Sequence, residues 1–194
     1  MRILYIYCHP LADSFHAAIR GEALAALTRA GHEVDLLDLY AENFDPVLSA
    51  DGRRHYHDTT RNRAGLESHV ARLQACDAIV FQFPTWCFGL PAMLKGWFDR
   101  VLMPGVSIDL SEPGSVKTLL GNIKKIAGIS TYGRPRWTAL YMGDPSRIMV
   151  TRYMKRLTGG TARTQYHALY HMNVATVAQR RAFISRVGEA MVRF

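Results

Sequence analysis

The sequence predicts one doubly wound α/β domain over residues 1–194, a five-stranded parallel sheet in the order 2-1-3-4-5 with helices on both faces. Three observations carry this. Strand-length apolar runs alternate with stretches of helical period from end to end. The central run, Ala78 to Phe83 in DAIVFQFPTWCFGLPAMLKGWFDRV, is too short for a typical helix and too rich in Ile, Val and Phe for a loop, so it reads as a buried strand. It delivers an aromatic turn and then a helix, which is how an open parallel sheet presents a ligand site at its carboxyl edge. No repeat, low-complexity tract or linker divides the chain.

Taken in order, RILYIY at 2–7 is the first strand, and Ser14 caps a helix that runs to about Arg29 before Gly31 stops it. The CHPLAD between them suits a phosphate, because free backbone N–H groups and the positive end of the helix dipole point at such a turn. His9 is either a donor to that phosphate or a loop histidine bonded to backbone. The glycine-rich dinucleotide fingerprint is missing here, which argues against the Rossmann NAD arrangement. HEVDLLDL at 32–39 is the second strand and completes a right-handed strand-helix-strand unit.

Residues 40–63 form a long connection holding Pro46, Gly52 and RRHYHDTTRNR, and a lid over a site is the functional reading of that length. His55 and His57 have no carboxylate or cysteine at a metal-binding spacing. Ala64 to Ala75 is a helix through Leu66, Val70 and Leu73. After the central strand, Thr85 to Gly89 form a turn, and from Pro91 the residues Met93, Leu94, Trp97, Phe98, Val101 and Leu102 recur at helical spacing. Residues 104–121 read as irregular. KKIAGIST at 124–131 is a fourth strand, with TYGRPRW as a second ligand-facing turn. Ser146 to Leu157 is a helix stopped by Gly159 and Gly160, Arg163 to Met172 a fifth strand, and Val177 to Phe194 a terminal helix.

Composition narrows the function classes. The formal net charge is +8, but the basic residues are scattered over several segments without a nucleic-acid-binding module, so solvated surface and phosphate-bearing cofactors are the readings and nucleic acid is not a partner. No stretch approaches the roughly 20 apolar residues of a membrane span, and the N-terminus reads as a core strand rather than a signal peptide. Cys8, Cys76 and Cys87 show neither CxxC pairing nor metal spacing, which favours free thiols and a cytoplasmic protein.

FQFPTWCFGLPAMLKGWFDRV resembles the central motif of the NAD(P)H:quinone oxidoreductases of the flavodoxin-like superfamily. YCHPLADSFHAA is similar to that family's first turn, and GISTYG followed by MGDP to its third motif and later Gly-Asp. The resemblance implies a flavin, FAD or FMN, at the carboxyl ends of the strands, NAD(P)H as co-substrate, a quinone or similar small acceptor, and a homodimer with sites at the subunit interface. Carried over, His9, Ser14, Phe15 and His16 would surround the flavin phosphate and ribityl chain. Pro84, Thr85, Trp86, Cys87 and Phe88 would lie along the isoalloxazine edge, and Thr131, Tyr132 and Gly133 would approach its pyrimidine side. Trp86, Phe88 and Tyr132 would line the substrate pocket, no side chain being a catalytic nucleophile because flavin N5 carries the chemistry.

Departures from the pattern are specific. Cys87 stands where the family has tryptophan, His16 where it has asparagine, Tyr132 where it has glycine, and Arg136 or Trp137 and Met142 where it has a tyrosine and a histidine. Plainer roles exist for the same residues: Trp86 and Phe88 as core or dimer contacts, Cys87 as a small packing residue, Lys95 as structural, Asp99 and Arg100 as a solvated helix end. The expected activity is hydride transfer from NAD(P)H through the flavin to the acceptor in two half-reactions. The alternative is a nucleotide-binding regulatory subunit of a potassium-efflux-type transporter.

Overall fold

The computed structural model describes residues 1–194. Its main sheet contains β1 (Arg2–Tyr7), β2 (Glu33–Asp38), β3 (Ala78–Pro84), β6 (Lys125–Thr131) and β7 (Arg163–Leu169), all parallel, in the order β2-β1-β3-β6-β7. This is the 2-1-3-4-5 order expected from the sequence. A separate two-stranded antiparallel sheet, β4 (Ile108–Asp109) with β5 (Lys117–Thr118), lies inside the stretch read as irregular.

The central strands β1, β3 and β6 are mostly apolar because both of their faces are covered, while the edge strands β2 and β7 carry more polar residues. On one face Ile3, Tyr5, Val80, Ala127 and Ile129 pack against α1 (Phe15–Arg29) and the C-terminal helix α7 (Val177–Val192). On the other, Leu4, Ile6, Ile79, Phe81 and Ile126 meet α3 (Glu67–Ala75), α4 (Ala92–Val101) and α6 (145–157). Trp97 of α4 is fully buried in a cluster with Phe81 and Phe98, and each such side chain contributes roughly 1.5–3 kcal/mol. α6 is a continuous helix built of Pro145–Ile148, a π-helical segment Met149–Tyr153, and Met154–Leu157. It lies over Gly128, where a Cβ would strike the Tyr166 ring, so the glycine is needed for close approach rather than for its backbone angles.

The connection after β2 differs from the expected lid. It contains a short helix, α2 (Ala50–Arg54), and is tied down on α4 and the segment behind it. Asn62 Nδ2 donates to Tyr56 O and Pro104 O at 3.1 and 2.9 Å, Arg63 Nη2 to Gly105 O at 2.7 Å, and Arg100 to Asp45 O. Pro46 rests directly on Gly96. A loop anchored by these bonds to α4 and to the segment after it is held away from the strand-end turns. The turn after β6 likewise holds an unexpected helix, α5 (Arg136–Tyr141), and β7 ends at Leu169 rather than Met172.

Candidate functional site

The carboxyl ends of β1, β3 and β6 come together at one edge of the sheet. The two bends that the sequence singled out are joined there: the Thr85 N–H donates to Thr131 O at 2.9 Å, and the Thr85 and Ser130 hydroxyls lie 3.0 Å apart. Beyond Thr85, Trp86 and Gly89 exchange both backbone hydrogen bonds, at 3.2 and 2.9 Å. The two residues between them are left-handed, Cys87 at φ 49° and Phe88 at φ 59°. This is a two-residue hairpin turn of the primed kind, which ordinarily takes Asn and Gly. A cysteine and a phenylalanine held there carry strain of about 1–3 kcal/mol each, of the sort found at ligand sites. The amides of Cys87 and Phe88 bond to nothing in the chain, and Trp86 is 43% exposed.

At the neighbouring turn Ser14 caps α1, its hydroxyl accepting from Ala17 N at 3.1 Å, so the first-turn amides of Phe15 and His16 are unspent. His9 Nδ1 accepts from Leu11 N at 3.1 Å, which leaves its Nε2–H as a donor. Partial burial holds the His9 ring below its ordinary pKa, so it is neutral. The His9 ring stacks on His16 at 5.3 Å and stands 6.4 Å from Trp86, which links the first turn to the aromatic one.

Three side chains are placed otherwise than the resemblance implied. His16 is 2% exposed and both ring nitrogens face protein partners: Gln82 Nε2 at 3.3 Å and Thr131 Oγ1 at 2.9 Å. Its ring cannot also surround a phosphate, and only its amide faces the turn. Phe15 turns its ring toward Phe183 of α7, 6.3 Å away. Tyr132 is 2% exposed, stacked on Tyr170 at 4.6 Å, with its hydroxyl donating to Asp144 Oδ1 at 2.6 Å and 2.8 Å from the Tyr166 hydroxyl. Its backbone N–H and C=O are taken by Leu169 and Met172. Tyr132 therefore lines no open pocket with its ring. Alternation along β6 explains the split, since Thr131 points to the α1 face and Tyr132 to the α6 face.

Sequence reasoning missed Gln82, Ser130 and Tyr166. Gln82 is fully buried and the one polar residue inside the run AIVFQFP, a signal that was available. Ser130 and Tyr166 carry no comparable mark. A cavity of about 640 Å³ lies elsewhere, beneath the connection after β2, lined by His55, Tyr56, Arg61, Arg63 and Arg100. The strand-end site is an open shelf.

Comparison with known proteins bears on the family and the fold. The NAD(P)H dehydrogenase [quinone] 1 of Rattus norvegicus is 38% identical over 120 residues, covering 54% of this chain and 44% of that protein. The chain spans about half the length of the curated relatives it matches. Among solved structures, Smu.1420 from Streptococcus mutans UA159 is similar at TM-score 0.87 and 26% identity with both chains fully covered. An NAD(P)H:quinone oxidoreductase from Methanothermobacter marburgensis is similar at TM-score 0.81 and 26% identity, over 99% of this chain and 98% of that one. A model of the Flavodoxin_2 family, described as having a flavodoxin-like fold, matches residues 1–186, and the chain belongs to that family.

Proposed function

We propose that this protein is an oxidoreductase that passes a hydride from NAD(P)H, through a flavin bound at the strand-end turns, to a quinone or similar small acceptor. The observation that carries the reading is the strained Trp86–Gly89 turn, with two unpaired amides and an exposed indole, hydrogen-bonded side by side with the end of β6. The residues present fit a flavin. Phe15 and His16 amides, at the positive end of α1, and the His9 Nε2–H are donors for a phosphate. Cys87 and Phe88 amides are donors for ring heteroatoms, and Trp86 offers a stacking face for a flat ring.

A bound flavin supplies the hydride-accepting and hydride-donating ring nitrogen, which no side chain here could replace. The chain's part is to hold the reactants and to aim fixed donors at the negative charge that reduction adds. Those donors are backbone amides on a rigid turn, so they need no reorganisation during the reaction. Related proteins named as quinone-reducing NAD(P)H dehydrogenases support the choice of reductant and acceptor.

The same reading makes the protein a homodimer with its shelf closed by the second subunit. Trp137, Leu140, Tyr141 and Met142 of the α5 region are 67%, 55%, 84% and 50% exposed, apolar side chains that a second subunit would cover. The unpaired, exposed Cys87 suits a reducing, cytoplasmic setting. The test is turnover of NADH or NADPH with a benzoquinone acceptor by protein loaded with FMN or FAD. Flavin-dependent turnover is expected, and flavin-loaded protein that oxidises neither nucleotide overturns the assignment.

A further inference from the structure

Beneath the first turn, four buried side chains form a hydrogen-bond sequence with only one consistent direction. The atom 2.6 Å from the His16 carbonyl oxygen must be a donor, so it is the amide nitrogen of Gln82. The Gln82 oxygen then faces the Tyr5 hydroxyl, which donates to it. The same amide nitrogen lies 3.3 Å from His16 Nδ1, which therefore accepts and carries no hydrogen. A neutral imidazole without hydrogen on Nδ1 has it on Nε2, and Nε2 donates to Thr131 Oγ1 at 2.9 Å. An imidazolium would set Nδ1–H against the amide hydrogens. Burial, with His9 beside it, also favours the neutral ring.

The sequence ends on a hydroxyl with one role left. Thr131 has accepted from His16, and its own hydrogen meets no acceptor in the chain. Thr131 is the last residue of β6, and its carbonyl already accepts from Thr85 at the edge where the two bends join. We infer that Tyr5, Gln82 and His16 form a one-way hydrogen-bond chain that holds the Thr131 hydroxyl as a donor to the bound flavin, with Gln82 and His16 acting as positioning residues. The choice of flavin rests on the function proposed above; the direction of the chain does not.

The experiment separates the two. Nitrogen-15 NMR of the flavin-free protein reads the His16 tautomer directly: Nε2–H is expected, and an Nδ1–H or doubly protonated ring overturns the inference whatever the protein binds. Titration with FMN and FAD then tests the donor. Thr131→Val is expected to weaken binding of the flavin that wild type prefers about tenfold, the size of one lost hydrogen bond, with Thr131→Ser within about twofold of wild type. His16→Phe is expected to weaken binding by no more than Thr131→Val does, and to add less than about twofold in the Thr131→Val background, because His16 acts on the flavin only through the Thr131 hydroxyl. Wild-type affinity in Thr131→Val, or additive losses in the double variant, overturns the inference. Should His16→Phe fail to fold, the His16 Nε2–H resonance in Thr131→Val decides: loss of its acceptor is expected to move it, and an unmoved resonance contradicts the chain. A wild type with the expected tautomer that binds neither flavin refutes the proposed function and the flavin half of this inference, leaving the hydrogen-bond direction standing.

Discussion

Replacing Tyr132 with phenylalanine removes a single oxygen from a ring that is 2% exposed. That oxygen donates to Asp144 Oδ1 at 2.6 Å and lies 2.8 Å from the Tyr166 hydroxyl. Asp144 is itself buried, held left-handed at φ 42°, and its Oδ2 has no partner, so the variant leaves a buried carboxyl with no hydrogen bond. Hydrogen bonds to charged groups contribute about 1.5–3 kcal/mol, and orphaning a buried acceptor costs a similar amount. These describe one loss from two sides, so a destabilisation of about 2–3 kcal/mol is expected. At about 2–4 °C per kcal/mol for a domain of this length, Tm falls by about 4–12 °C. Denaturant unfolding of Tyr132→Phe, Asp144→Ala and the double variant measures the coupling, and the double should cost less than the sum by about 1–3 kcal/mol, since it removes the orphaned carboxyl too. Flavin affinity should change little, because the ring faces α6 and not the open turn. A variant with unchanged stability and sharply weaker flavin binding would show that the hydroxyl serves the ligand, and would refute the structural role argued for this tyrosine.

Other outcomes follow from the same contacts. Burial, then the neighbouring His9, lowers the His16 pKa to about 3 from its ordinary 6.5; between those values only the unfolded chain takes up the proton, so stability falls as pH drops below 6.5 by about 1.4 kcal/mol per unit. From pH 6.5 to pH 5 wild type should therefore lose about 2 kcal/mol more than His16→Phe in urea titrations, and parallel pH profiles for the two would contradict the buried neutral ring. Gly128→Ala should cost about 1–3 kcal/mol by overpacking against Tyr166, read as a drop in Tm; an unshifted Tm means the strand and ring can part without penalty. Thr176 and Gln179 form a reciprocal cap on α7, with bonds of 3.2 and 2.8 Å, so Thr176→Ala should destabilise by about 1 kcal/mol in the same assay, and no loss would mean water replaces the cap.

The fold was legible because its signals are local and mutually consistent. Runs such as RILYIY and AIVFQFP are apolar at all but one position each, and Ser14 and Gly31 mark the ends of the helix between the first two strands. The meeting of the two bends was legible too, since both follow strands that pair in the predicted order. Side-chain direction was not. Adjacent residues Thr131 and Tyr132 face opposite sides of the sheet, and which side holds a ligand depends on what α1 and α6 bring there. Burial of His16 depends on Gln82, 66 residues away, to satisfy its ring, a pairing that no spacing encodes. The α6 π-segment and the anchoring of the 40–63 connection on α4 are likewise tertiary outcomes, of the kind local propensity leaves open.

The most direct test of the account is an equilibrium titration of the purified, flavin-free protein with FMN and with FAD, followed by quenching of flavin fluorescence and checked by circular dichroism for a folded chain. Saturable binding of at least one of them at one site per chain is expected, accompanied by quenching of Trp86 fluorescence. A folded protein that leaves both flavins fluorescent and free would contradict it.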